Sequence, residues 1–264
     1  MKATSKGVLA AVAAATMWMV PAEARADEPK AEDHFLPEWM SVGVGFNAQV
    51  GANFLDEPGN QQVGSGEPTP NYPGFAGLQW GVGAALDVRF LGYVGFEMDV
   101  HATQDRGTAD ISITNFTSNQ TNEFSFEIGH SAVHIPLLLK GALPGDLVTP
   151  VVFLGPEFVL PSDGELEVTD GTNNSGADFS AFSESYTFLT FGFGMEINLP
   201  IPSVDIRIPI QLRGSYNPGV SDERTERSNI TTRTEGDDLK VASESYRTEW
   251  LWQVGANLGV MWHF

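Results

Sequence analysis

Residues 78–90 read LQWGVGAALDVRF. Leu78, Trp80, Val82, Ala84, Leu86, Val88 and Phe90 share one parity, while Gln79, Gly81, Gly83, Ala85, Asp87 and Arg89 share the other. Side chains alternate faces along a β-strand, so this strict period of two predicts a strand with one apolar face and one small or polar face. The pattern recurs at 42–54, 94–103, 204–213 and 250–264. In the last of these Trp250, Trp252, Val254, Ala256, Leu258, Val260, Trp262 and Phe264 form the apolar face. Three further stretches are strands of less regular pattern. Residues 186–199 alternate. Residues 151–160 (VVFLGPEFVL) are too uniformly apolar to assign an inward face. Residues 123–141 start with Phe124, Phe126 and Ile128 and change phase to Val133, Ile135, Leu137 and Leu139, for which a one-residue bulge near 129–131 is expected.

These are eight strands, and their connections sort into two kinds. Residues 91–93, 142–148 and 200–203 are tight turns. Residues 55–77, 105–122, 161–185 and 217–245 are long and rich in Ser, Thr, Asn, Asp, Glu and Gly. Short and long connections alternate along the chain. That predicts an all-β, eight-stranded antiparallel up-and-down β-barrel with its long loops at one end.

Two barrels fit such strands. A soluble carrier turns the apolar face inward; a transmembrane barrel turns it toward lipid. The polar face carries Gly43, Gly45, Gly51, Gly81, Gly83, Gly95, Gly192, Gly194, Gly255 and Gly259. Glycines weaken a water-facing strand for no gain, whereas the narrow interior of an eight-stranded barrel needs small residues. The apolar face carries Trp80, Phe96, Phe191, Phe193, Trp250, Trp252 and Trp262, too much volume for that interior. The strands also match or exceed the ~9–11 residues of a tilted spanning strand. The transmembrane barrel is therefore expected. With the first strand running upward, Trp39, Phe90, Tyr93, Trp262 and Phe264 fall at the lower rim, and Phe54, Trp80, Phe124, Tyr216 and Trp250 at the upper rim, as a double aromatic girdle.

The 264-residue chain has 14 Lys and Arg against 34 Asp and Glu, a net charge of −20, and no Cys. Such acidity argues against nucleic-acid binding, and the missing thiols exclude disulfides, Cys nucleophiles and Cys-ligated metals. Lys2 and Lys6 precede an apolar run from Val8 to Val20, followed by Ala22-Glu23-Ala24 and Ala24-Arg25-Ala26. This is the layout of a secretory signal peptide over 1–26. Cleavage after Ala26 removes Lys2, Lys6, Arg25 and Glu23 and leaves 11 bases against 33 acids. Residues 27–38 read as a periplasmic linker, and 39–264 as the barrel with four long extracellular loops.

The chain ends in Trp262-His263-Phe264, and that terminus resembles the C-terminal signal read by the bacterial outer-membrane assembly machinery. Ile135-Pro136-Leu137-Leu138-Leu139-Lys140, a short turn, and Phe153-Leu154-Gly155-Pro156-Glu157 resemble the PorT-type outer-membrane β-barrel domain. The architectural likeness covers about 40–264 and the motif about 133–160. It implies a bacterial outer-membrane location, with lipid and the assembly machinery as partners, and says little about activity.

On the polar face, Asp87, Arg89, Glu97, Asp99, Lys140, Glu157, Glu196, Asp205, Arg207 and Arg213 are expected as a charge network in the lumen. Turns at 91–93 and 200–203 would set Asp87 opposite Glu97 and Glu196 opposite Arg207. Two facing carboxylates repel unless a base lies between them. Such a network either plugs the lumen, since buried charges need partners, or gates a pathway. His101 and His130 are expected near Asp99, a minimal start for hydrolysis or metal binding that no motif completes. The acidic loop 161–178 lacks the ligand spacing of a Ca²⁺ loop. The expectation is a non-enzymatic barrel without cofactor or metal. Its long loops serve a structural or recognition role toward an unknown extracellular ligand; a narrow pore for ions or small solutes is the alternative.

Overall fold

The computed structural model describes residues 36–37, 39–55, 74–115, 120–162, 164–170, 176–182, 184–201, 204–220, 230–235, 238–243, 246–247 and 249–264. The expected signal peptide and most of the expected linker lie outside the described residues. Eight long strands close a barrel: β1 (Met40–Leu55), β2 (Phe75–Phe90), β3 (Val94–Asn115), β4 (Gln120–Ala142), β5 (Val148–Pro161), β8 (Tyr186–Ile201), β9 (Val204–Tyr216) and β13 (Trp252–His263). Each pairs antiparallel with its neighbour, and β1 meets β13 to complete the ring. Closure gives the backbone of every barrel strand a partner on both sides, the condition for crossing hydrocarbon with strands.

Parity decides what each strand shows to either side. Phe46, Val50, Leu78, Trp80, Val82, Phe96, Leu139, Leu154, Phe191, Phe193, Leu212 and Val254 are exposed on the outer surface. Asn47, Asp87, Glu97, Asp99, His101, Lys140, Glu196 and Gln211 are buried inside. The ambiguous stretch in β5 resolves the same way, with Val151, Phe153, Glu157 and Val159 inward and Val152, Leu154, Phe158 and Leu160 outward. Glycines make the inner packing possible. Gly83 lies opposite His101, and a Cβ there would stand 2.3 Å from the imidazole. The first short turn is tight because Leu91 and Gly92 both take left-handed φ, 52° and 75°.

Three sequence expectations need correction. β4 carries no bulge: its register with β3 runs unbroken from Gly141 to Gln120. Phe126 and Ile128 point inward together with His130, Ala132, His134, Leu138 and Lys140, all of one parity and all buried. The apolar face changes sides because the strand rises out of the outer apolar belt, where its outward neighbours become Glu123, Ser125 and Glu127. The extra residue sits in the facing strand. Pro161 pairs with Ala132 and Glu165 with Gly129, so four steps there oppose three on β4.

Secondly, the long connections are not all loop. β3 and β4 extend as one hairpin through most of 105–122, and 161–185 contains β6 (Gly164–Asp170) and β7 (Gly176–Phe182). β6 pairs with the upper half of β4, β7 with β6, and β12 (Tyr246–Arg247) runs parallel to β7. β10 (Ile230–Glu235) and β11 (Asp238–Ser243) form a separate hairpin. Thirdly, β8 runs on to Ile201 and β9 begins at Val204, so Ile201 pairs with Val204 and Glu196 faces Pro209 rather than Arg207.

The outward belt carries a prediction. Leu154 sits midway along the outer face of β5 and is exposed. Leu154→Arg is expected to destabilise the lipid-embedded barrel by about 2–4 kcal/mol, against little change for Leu154→Ile, read by guanidinium unfolding from vesicles.

Candidate functional site

The lumen holds two polar layers. In the layer nearer the short turns, Asp87 and Glu97 are paired across β2 and β3, as the turn length predicts. Their repulsion is relieved by a base. Lys140 Nζ, reaching in from β4, lies 2.6 Å from Glu97 Oε2, 2.7 Å from Glu196 Oε1 and 3.5 Å from Asp87 Oδ2. Arg89 donates to Asp87 Oδ2 and Glu196 Oε1, both at 2.7 Å. From β9, Arg213 Nη2 donates to Glu97 Oε1 at 2.7 Å and Asp99 Oδ2 at 2.6 Å, and its guanidinium stands 5.6 Å from the Phe153 ring centre. Gln211 Nε2 donates to both oxygens of Glu97, at 2.9 and 3.0 Å. Four carboxylates and three permanent cations thus share one buried volume, joining β2, β3, β4, β8 and β9 across it.

Asp205 does not belong to this network. It stands next to the turn, paired with Pro200, with its side chain 45 % exposed. Arg207 Nη2 donates to Asp205 Oδ2 at 2.6 Å at the rim, and its Nη1 reaches Glu196 Oε2 only at 3.8 Å. His263 fills the remaining space beside Asp87, with its Nδ1 3.1 Å from Ser41 Oγ.

The second layer lies toward the long loops. His134 Nδ1 donates to Glu157 Oε1 at 2.6 Å, and Glu157 Oε2 accepts from Thr190 Oγ1 at 2.5 Å and Ser215 Oγ at 3.2 Å. His134 Nε2 lies 3.5 Å from Asp105 Oδ2. The chain Asp105, His134, Glu157, Thr190 and Ser215 runs through β3, β4, β5, β8 and β9 in order. His101 does not join His130. It faces His134 in the register and its Nε2 contacts Asn47 Oδ1 at 2.6 Å, with Asp99 at 4.0 Å. His130 stands two inward positions higher, opposite Asp105. Asp105, His134, Thr190 and Ser215 escaped the sequence reading. Asp105 and Ser215 lie just beyond the alternating stretches 94–103 and 204–213, a bulge near 129–131 would hide the parity of His134, and a lone threonine such as Thr190 carries no sign of a partner.

Of the expected girdle residues, Trp39, Tyr93 and Trp262 are exposed at the short-turn rim, where Trp39 stacks on Phe90 at 6.1 Å. Phe264 is exposed at the same rim. Phe54 and Trp80 are exposed toward the other end, and Tyr216 packs on Trp252 at 4.5 Å. The side chain of Phe124 lies outside the described residues. Trp250 is a correction: it is 0 % exposed, because β13 begins only at Trp252 and the chain bends at Leu251, which breaks the parity.

A family model described as "Outer membrane protein beta-barrel domain" matches residues 10–264. No curated protein matches the chain. Among solved structures, the N-terminal β-barrel domain of Pseudomonas aeruginosa OprF is similar at 12 % identity, covering 85 % of this chain and 97 % of its own, with a TM-score of 0.33. P. aeruginosa OprG is similar at 10 % identity, covering 85 % and 95 %, with a TM-score of 0.35. The attachment invasion locus protein Ail of Yersinia pestis is similar at 15 % identity, covering 85 % and 97 %, with a TM-score of 0.29.

Removing one partner from a buried ion network strands the others without solvent. Lys140→Met is expected to lower stability by about 3–5 kcal/mol. Adding Glu97→Gln should recover about 0.5–3 kcal/mol of that loss in a double-mutant cycle, measured by equilibrium unfolding.

Proposed function

Since the chain belongs to the outer membrane protein beta-barrel domain family and is an integral β-barrel of the Gram-negative outer membrane, we propose that it is a closed-lumen anchor. Its rigid barrel holds the strand extensions and long loops at the cell surface for a structural or recognition role. The filled interior carries this reading. Two cavities along the described lumen measure about 20 Å³, lined by Gln49, Gln79, Glu157, Arg213 and Gln253 among others, and about 10 Å³. The larger has room for about one water, which is too little for a hydrated solute.

The short turns face the periplasm and the long connections the exterior, the usual arrangement of such barrels. Trp39, Phe90, Tyr93 and Trp262 anchor the periplasmic interface, and Phe54, Trp80 and Tyr216 the outer one. Residues 1–26 direct export, 27–38 link into the periplasm, and Trp262 and Phe264 are read by the assembly machinery. The Ile135–Lys140 and Phe153–Glu157 segments support kinship with PorT-type barrels. The surface partner is recognised outside the barrel, where β3, β4, β6 and β7 build a continuous sheet.

Planar-bilayer recording of the purified full chain tests the anchor: no steady ohmic current is expected at pH 7.5, and a stable linear conductance would establish the pore instead. Removal of 164–182 should leave heat-modifiable migration intact. It should abolish adhesion of expressing cells to an array of glycans and matrix proteins; adhesion at the level of the intact chain would sink the recognition role.

A further inference from the structure

The lumen is shut at its long-loop end by a device that the anchor role does not require. Leu251 is pinned by two backbone bonds: its amide donates to the Phe54 carbonyl at 3.0 Å, and its carbonyl accepts from the Asn217 amide at 2.9 Å. The bend swings the Trp250 indole into the mouth, where it stacks on the His130 ring at 6.1 Å and 19°. Gly107 on β3 leaves the space: a Cβ there would stand 2.5 Å from the indole. Leu55, Phe75, Phe126, Ile128 and Phe188 are buried at the same end and dry the site.

Beneath the indole, His130 Nε2 lies 3.5 Å from Asp105 Oδ2. Among the described residues neither ring nitrogen of His130 and neither oxygen of Asp105 has a hydrogen-bond partner. Arg106 and Glu127, on the outer surface beside this level, are exposed, so His130 stands above the lipid belt. The titratable groups around the mouth are Asp105 on β3, His134 on β4, Glu157 on β5, Tyr186 on β8 and Glu249 just before Trp250. Burial pushes His130 below its ordinary value; Asp105 opposes that shift and His134 adds to it. A neutral imidazole tolerates a dry, stacked position, whereas an imidazolium without a made hydrogen bond does not.

We propose that Trp250 and His130 form an acid-released latch on the mouth of the lumen, closed while the imidazole is neutral and opened when a proton draws it toward water. In the open state His130 is hydrated and titrates near its ordinary value of 6.5. The closed state binds the proton more weakly, so lowering the pH through that value favours opening. For a single site the open-to-closed ratio rises by up to about thirty-fold between pH 7.5 and 5.

The test uses the full chain in phosphatidylcholine vesicles and acrylamide quenching of tryptophan emission. The difference between wild type and Trp250→Phe isolates the one indole. Its quenching constant is expected to rise several-fold from pH 7.5 to 5.0, and to stay flat in His130→Phe, or in His130→Gln if the Phe variant does not fold. Asp105→Asn, which removes the group that opposes the downward shift of closed-state His130, should leave the onset of the rise in place and enlarge it. Heat-modifiable migration at both pH values establishes that each variant is folded. A flat wild-type response, a rise that persists without His130, or a rise produced at pH 7.5 by EDTA alone would overturn the latch. The latch rests on the closed-lumen reading only for a mouth shut at neutral pH. Steady conductance at pH 7.5 would sink that reading, whereas a pH-insensitive Trp250 sinks the latch alone.

Discussion

A ring of eight strands encloses barely enough width for its own side chains, and that limit governs the rest of the molecule. Large inner residues face glycines across the ladder: His263 against Gly43, His101 against Gly83, and Phe153 against Gly192. Whatever remains inside has no access to bulk water, so each charge must find its partner within reach. Lysine and arginine suit this because they are long. Lys140 starts on β4 and ends among carboxylates of β2, β3 and β8, while Arg213 crosses from β9 to β3. Such contacts brace strands that share no ladder, and they stiffen the barrel in the direction that backbone hydrogen bonding leaves soft.

The same limit explains where the wall changes character. Around the belt, apolar side chains face outward and polar ones inward. Above it, β4 keeps its geometry and reverses its chemistry, with Phe126 and Ile128 buried and Glu127 exposed. Lipid has given way to water outside, and the mouth needs an apolar closure inside. The extra residue between β5 and β6 lies at the same height. The barrel wall thus passes into a free-standing sheet, in which β6 and β7 continue beside β4 while β8 leaves to complete the ring.

Strict alternation made β1, β2, the lower part of β3, β9 and β13 legible from the residues alone. It also placed Asp87, Arg89, Glu97, Asp99, Glu196 and Arg213 inside, whereas Lys140 and Glu157 lie in stretches whose alternation is irregular. Legibility failed where one pattern has two causes. Phe126 and Ile128 look like a shift of register when they are a shift of environment. Trp250 looks continuous with Trp252, yet a bend at Leu251, immediately before the strand, reverses its direction, and a bend leaves no periodic mark. Turn length fixed the Asp87–Glu97 pairing. It misplaced the partner of Glu196 because β8 continues through Pro200 to Ile201, two residues beyond the expected strand end. The His134–Glu157–Thr190–Ser215 belt was beyond reach, since its members come from four strands and only the closed ring brings them level.

The seam between β1 and β13 joins positions as remote as Gly43 and His263. Neither strand can be sealed until the other has arrived, so every nascent intermediate carries two raw borders of unpaired amides and carbonyls. Ring completion is then a late, long-range event of high contact order, slow by topology rather than by chemistry. The window in which the polypeptide is vulnerable to self-association is therefore set by the waiting time of its first strand for its last.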